Sequence, residues 1–149
     1  MTVIFLDVDG VLNNARWAKK MLEEEGIHVY AEDLLYDPAL KQLKRLVDTT
    51  GAKIVVSSSW RLIPMAMKNL TAQLEAHGMK VYDKTPHTGN YRGDDITAWL
   101  NQHDDVDAYV ILDDDSDMTT HMDHLVKTDF ETGLRHNHVD RAIEVLQDG

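Results

Sequence analysis

Short apolar runs recur along the chain at intervals that suit the strands of a sheet. Four such runs cover residues 3–6, 54–56, 79–82 and 109–112, and a weaker fifth covers 124–127. Continuous apolar runs of this length, rich in Val and Ile, are typical of strands that are buried on both faces. The pattern therefore predicts a buried sheet of about five strands.

Amphipathic segments lie between these runs. One segment begins at Asp37-Pro38 and ends at Gly51, another begins at Pro64, and a third follows a cap at Asp94 or Asp95. A last segment has an apolar stripe formed by Val139, Ala142, Ile143 and Leu146. Strands that alternate with helices predict an α/β fold, in which helices cover both faces of a central, mostly parallel sheet.

Composition narrows the class of protein. A chain of 149 residues predicts a single domain spanning residues 1–149. The absence of cysteine excludes a disulfide framework and thiolate chemistry, and no apolar stretch is long enough for a membrane span or signal peptide, so we expect a cytoplasmic protein. The net charge of −11 argues against wrapping of duplex nucleic acid, although a few local cations can still bind one terminal phosphate. Composition does not predict the oligomeric state.

Polar side chains follow three of the predicted strands. Asp7 and Asp9 follow the first, the run 57–59 of serines follows the second, and the run 113–115 of aspartates follows the fourth. Ligands of open α/β sheets bind beyond the carboxyl ends of the strands, which parallel pairing brings to one edge. We therefore expect these groups to form one site for a cation and a phosphate.

The motifs that carry this chemistry are FLDVDGVLN, VVSSSWR, YRGDDITAWL and VILDDDSD. In this combination the chain resembles the haloacid dehalogenase (HAD) superfamily of phosphatases. It is most similar to the HAD domain family of Swiss Army Knife RNA repair proteins, which is related to polynucleotide 3′-phosphatases. The resemblance implies a HAD-like, Rossmannoid three-layer sandwich. The short interval between Asp7 and Ser57 leaves no room for a large cap domain.

The resemblance also implies catalytic roles. Asp7 would be the nucleophile that forms an aspartyl-phosphate, and Asp9 would be the general acid and base. Ser57 would donate a hydrogen bond to a phosphoryl oxygen, with Ser58 beside it, and Gly10 would allow the substrate to approach the backbone closely.

The acidic residues are expected to hold Mg²⁺, which prefers oxygen ligands. The resemblance implies Asp7, the Asp9 carbonyl and Asp113 as ligands, together with either Asp114 or Asp117. A cation should also stabilise the phosphate. Arg92 is favoured for this role because it lies just before a predicted helix, and Lys84 is the competitor.

The substrate is predicted from the surroundings of the motifs. Trp60 and Arg61 follow the serine run, and Arg16, Trp17, Lys19 and Lys20 follow the first motif. A cation beside an aromatic ring can bind a phosphate and stack a base.

The sequence therefore predicts a Mg²⁺-dependent phosphomonoester hydrolase acting on nucleic-acid 3′-phosphate ends or nucleotides. One alternative is a phosphatase of small metabolites such as sugar phosphates. Another is a catalytically silent, metal-binding interaction domain.

Overall fold

A computed structural model describes residues 1–148 and shows a sheet of five parallel strands. The strands are β1 (Thr2–Leu6), β2 (Lys53–Val56), β3 (Val81–Lys84), β4 (Ala108–Asp113) and β5 (Leu125–Lys127). Their order is β3-β2-β1-β4-β5, so β1 lies at the centre. All pairs are parallel, which confirms the predicted sheet.

Five α-helices accompany the sheet: α1 (Ala15–Glu25), α2 (Asp37–Thr50), α3 (Pro64–Ala76), α4 (Arg92–Asn101) and α5 (His136–Asp148). Two 3₁₀ segments, Ser59–Leu62 and Thr119–His124, complete the regular structure.

The core has two parts because successive strand residues point to opposite faces of the sheet. Ile4 and Leu6 of β1 belong to the larger cluster, which α2, α3 and α5 cover. Val3 and Phe5 belong to the smaller cluster, which α4 covers through residues that include Trp99. Both faces are thus buried, which confirms the three-layer α/β architecture.

Helix α1 is the main element that the hydrophobic pattern does not predict. None of its residues is fully buried, and its apolar stripe is short: Trp17, Ala18 and Met21 are half-buried. Its ends still follow local rules: Asn14 caps the start by accepting a hydrogen bond from Trp17 N, and Gly26 ends the helix with φ 67°. These capping residues were the available signals.

Several predicted boundaries are wrong by one to four residues. The third strand begins at Val81 rather than at residue 79. Helix α2 is preceded by Tyr36, so Asp37 is its first residue and not its cap. Neither Asp94 nor Asp95 caps α4, since the helix begins at Arg92. Arg92 therefore lies in the first turn of α4 and not before it.

Candidate active site

The ends of β1, β2 and β4 meet at the carboxyl edge of the sheet. Backbone hydrogen bonds continue the pairing one residue beyond β1 and β2: Asp7 N donates to Leu112 O at 3.0 Å, and Ser57 N donates to Leu6 O at 2.9 Å. Parallel register therefore places Asp7 between Ser57 and Asp113. This edge is where ligands bind in open α/β sheets.

Three carboxylates converge at this edge. Asp7, Asp113 and Asp114 each offer an oxygen atom, and these atoms lie within 4.8 Å of one another. Burial and then repulsion by Asp113 raise the pKa of Asp7 well above its usual value. Burial also raises the pKa of Asp113, although its ion pair with Arg92 opposes the shift. The cluster thus concentrates more negative charge than its surroundings balance.

Arg92 is the cation that contacts this cluster. Its Nη1 lies 3.1 Å from Asp7 Oδ1 and 2.5 Å from Asp113 Oδ2. Burial lowers the pKa of Arg92, but the two carboxylates outweigh burial, and the net shift is upward. Lys84 is exposed and forms no ion pair with any residue in the range 1–148. The structure therefore brings Arg92, and not Lys84, to the carboxylates.

The carboxylate cluster fits a hard divalent cation. Mg²⁺ prefers oxygen ligands and is commonly bound by one or two carboxylates together with water and substrate phosphate. Asp7, Asp113 and Asp114 supply oxygen donors close enough to share one ion. Asp117 lies differently: its Oδ2 accepts from Arg92 N at 3.3 Å, and its carbonyl accepts from Gly93 N at 3.0 Å. Asp117 thus holds the start of α4, and Asp114 is the acid that joins Asp113.

Gly10 forms the turn that follows the two aspartates. Its φ of +79° is in the left-handed region, and a side chain there would overlap the Asp114 carboxylate. Gly10 N donates to Asn13 Oδ1 at 2.9 Å, and Gly10 O accepts from Thr128 Oγ1 at 2.7 Å. The position thus requires glycine for both conformation and space.

Asp9 is held by two side-chain donors. Asn13 Nδ2 donates to Asp9 Oδ1 at 2.8 Å, and Trp60 Nε1 lies 3.3 Å from both carboxylate oxygens. Trp60 is only 7% exposed, so it orients Asp9 and offers no open ring face for base stacking. The sequence pattern did not indicate either contact, because both depend on how the loops fold over β1.

The serine run supplies one free hydroxyl. Ser57 is fully buried, and its Oγ has no hydrogen-bond partner within residues 1–148. A buried hydroxyl without a partner is uncommon in folded proteins and suits donation to a ligand. Ser58 Oγ instead accepts from Trp60 N at 3.1 Å and caps the first 3₁₀ segment.

Arg61 does not face the substrate side of the site. Its guanidinium donates to Asp95 Oδ2 at 2.9 Å and to four backbone carbonyls, those of Ser57, Ser58, Thr85 and Pro86. The expected contact of Arg61 with substrate is therefore replaced by a structural role: it ties the end of β2 to the loop after β3.

Two exposed aromatic rings lie near the carboxylates and were not predicted. Tyr30 and Phe130 are 40% and 47% exposed, and their rings stack with centroids 6.3 Å apart and planes inclined by 7°. Partial burial raises the pKa of Tyr30, and the charges of Asp9, Glu131 and Asp114 raise it further. Exposed aromatic residues separated by 100 positions leave no sequence signal.

Comparison with known families agrees with this geometry. Residues 3–139 match the family described as the HAD domain in Swiss Army Knife RNA repair proteins. The chain belongs to this family. A comparison with curated proteins found no match.

Family membership confirms the resemblance drawn from the four motifs and supports a HAD-type hydrolase. HAD proteins generally use Mg²⁺, which agrees with the fit of the carboxylate cluster. Among the helices formed by residues 1–148, none has the length and apolarity needed to cross a bilayer.

Proposed function

We propose that this HAD domain is a Mg²⁺-dependent phosphomonoester hydrolase. The observation that carries the proposal is the arrangement around Asp7. It comprises a cation at 3.1 Å, a serine hydroxyl just beyond the neighbouring strand β2 that has no partner within residues 1–148, and a second aspartate held two residues away. These are the groups that phosphoryl transfer through a covalent enzyme intermediate requires.

The reaction has two steps. A carboxylate oxygen of Asp7 attacks phosphorus, and the bond from phosphorus to the leaving oxygen breaks as that oxygen takes a proton from Asp9. In the second step Asp9 removes a proton from water, the water oxygen attacks phosphorus, and the bond between phosphorus and Asp7 breaks. Inorganic phosphate leaves, and both aspartates return to their starting states.

The remaining groups stabilise charge. In this proposal Arg92 and the Ser57 hydroxyl contact phosphoryl oxygens, where charge builds up during transfer. Asp7, Asp113 and Asp114, with the Asp9 carbonyl, would hold Mg²⁺. When bound, the ion offsets the repulsion between the Asp7 carboxylate and the incoming phosphate.

We propose a nucleic-acid end carrying a 3′-phosphate as the substrate. The family description names RNA repair proteins, which favours a polynucleotide. The single helix α1 between β1 and α2 leaves the carboxyl edge without a large cap, so a bulky end can reach Asp7. The exposed Tyr30 and Phe130 rings provide a surface on which a terminal base can stack.

Hydrolysis of an aryl phosphate and of terminally phosphorylated oligonucleotides tests the proposal. We expect Mg²⁺-dependent release of phosphate, loss of activity with chelator, and faster reaction of a 3′-phosphorylated than of a 5′-phosphorylated oligonucleotide. Asp7→Asn is the control for contaminating phosphatase. Faster hydrolysis of mononucleotides or sugar phosphates would favour the small-metabolite alternative, and binding of Mg²⁺ without turnover would favour a silent metal-binding domain.

A further inference from the structure

A concave surface is formed partly by helix α1, which follows the loop that carries Asp7 and Asp9 in the chain. Helix α1, the start of α2 and the segment 132–136 enclose a cavity of about 590 Å³, within the range of about 300–1,000 Å³ for ligand pockets. We call it the α1 groove. Its lining includes Arg16, Trp17, Lys20, Tyr36 and Arg135.

The charge of the α1 groove is opposite to that of the whole protein. The chain has a net charge of −11, yet the permanently charged residues that line the groove are Arg16, Lys20 and Arg135, and no carboxylate lines it. None of these three cations forms an ion pair within residues 1–148. The groove therefore holds cationic groups that are free to bind an anion.

Two acidic residues that lie close in sequence to this lining are already paired. Asp37, next to the groove, contacts Lys41 at 3.0 Å and His77 at 2.8 Å. Asp140 contacts Arg45 at 3.0 Å and His136, which does line the groove, at 3.2 Å. Glu23 and Glu131 also lie close in sequence to the lining, but neither pairs with Arg16, Lys20 or Arg135 within residues 1–148.

An aromatic pair accompanies the cations. The rings of Trp17 and Tyr36 lie 5.2 Å apart with their planes inclined by 44°, and both side chains are half-buried. Proteins that bind single-stranded nucleic acids combine a cationic groove, which contacts phosphates, with aromatic rings on which bases stack. The α1 groove has both features.

The segment 13–16 links the loop of Asp9 to the groove and is held by hydrogen bonds on both sides. Ala15 N donates to Phe130 O at 3.0 Å, and Arg16 N donates to Glu131 O at 3.1 Å. Asn13, two residues before Ala15, donates from Nδ2 to Asp9 Oδ1. Asp9 and Arg16 are seven residues apart, which limits their separation to about 25 Å. A short single strand can span this distance.

We propose that the α1 groove binds the chain of a single-stranded nucleic acid whose phosphorylated end is at Asp7. This inference rests on the proposed function and adds the surface that would distinguish a polynucleotide from a mononucleotide. Arg16, Lys20 and Arg135 contact backbone phosphates, and Trp17 stacks on a base.

Direct binding separates this inference from catalysis. The probe is a fluorescein-labelled single-stranded oligoribonucleotide of about 12 nucleotides without terminal phosphate. It is titrated at a series of salt concentrations up to about 150 mM, where remote charges are screened, and binding is followed by anisotropy. Lys20→Glu and Arg135→Glu should each weaken binding about tenfold, and each should reduce the slope of log affinity against log salt by about one. Intrinsic tryptophan fluorescence should be quenched by the oligonucleotide, and Trp17→Phe should remove most of the quench.

Lys80→Glu is the matched control, because Lys80 is an exposed cation just before β3, at the opposite edge of the sheet. It should change the affinity by less than about twofold, the size of effect expected for a remote exposed charge at moderate salt. Near-ultraviolet circular dichroism checks that each variant is folded.

Equal weakening of binding by Lys20→Glu and Lys80→Glu would overturn the inference. Displacement of the probe by poly-glutamate at a lower concentration than by unlabelled oligonucleotide would also overturn it, because that result would indicate an acidic protein partner. If the groove variants bind the oligonucleotide normally while the protein hydrolyses aryl phosphate, the inference fails and the proposed function stands. Absence of hydrolysis with the groove effect intact would reject the proposed function alone.

Discussion

Two arginines at the same edge of the sheet show how a structural ion pair differs from a functional one. Arg61 is only 4% exposed in its side chain, and its donors all reach protein acceptors. Its partner Asp95 also accepts from Thr88 N and Oγ1 at 2.7 Å. This network has a partner for each charge, so loss of either member would leave a buried charge uncompensated.

The surroundings of Arg92 are incomplete by comparison. Arg92 is 23% exposed and shares one nitrogen between two carboxylates, with Asp114 close by. Ser57 Oγ and Asp117 Oδ1 are buried there, and neither has a partner in the part of the chain that the structure describes. Unbalanced charge and unmet hydrogen bonds cost stability, which folded proteins tolerate where a ligand completes the set. The difference between the two arginines therefore marks the site.

Replacement of the nucleophile should give the largest effect. Asp7→Asn should lower the turnover number by about 10⁴-fold or more, because the amide cannot form the covalent intermediate. It should also raise the melting temperature in chelator, since it removes one of the repelling carboxylates. Stopped phosphate release and calorimetry measure the two results. A lower melting temperature would contradict our account of the charge imbalance.

Disruption of the fully paired Arg61–Asp95 network should mainly affect the stability of the protein. Arg61→Met leaves Asp95 buried without its cation and should lower the free energy of unfolding by about 3–5 kcal/mol. Urea denaturation measures this change. Arg135→Met removes an exposed, unpaired arginine and should change stability by less than about 0.5 kcal/mol. Similar losses in both variants would show that Arg61 is not a structural residue.

Removal of the Ser57 hydroxyl should have the opposite result to Arg61→Met: a large loss of activity with little change in stability. Ser57→Ala should slow the chemical step by about 10²–10³-fold, the usual loss for one preorganised donor. The melting temperature should stay nearly unchanged, because no hydrogen bond within the protein is lost. Single-turnover kinetics test the first expectation. Normal kinetics would move the phosphate contact away from Ser57, and Ser58→Ala serves as the neighbouring control.

Loss of the Asp9 contact should have the smallest effect and should depend on the leaving group. Trp60→Phe keeps a buried ring but removes the indole donor, so kcat/KM should fall about tenfold for an alkyl phosphate and less for an aryl phosphate, which needs little protonation. Trp99→Phe, whose indole donates to Asp83 away from the site, is the matched control. Equal losses on both substrates would argue against a positioning role.

The sequence by itself determined which strands end in polar residues and which family the chain belongs to. The proximity of Asp7, Ser57 and Asp113 could be predicted because each follows a short apolar run that is typical of a buried strand. Parallel strands place their carboxyl ends at one edge of the sheet. Family motifs then supplied the roles. Helix ends were less accurate, because several residues near each boundary satisfy the capping rules about equally well.

Only the tertiary structure decided which side chains complete the site. Trp60 and Arg61 look like substrate contacts in the sequence, but folding of the first 3₁₀ segment buries both, and they bind Asp9 and Asp95. The α1 groove joins Arg16 and Lys20 to Arg135, more than 100 residues later in the chain. Contacts of this kind depend on long-range packing, which periodicity and local propensity do not encode.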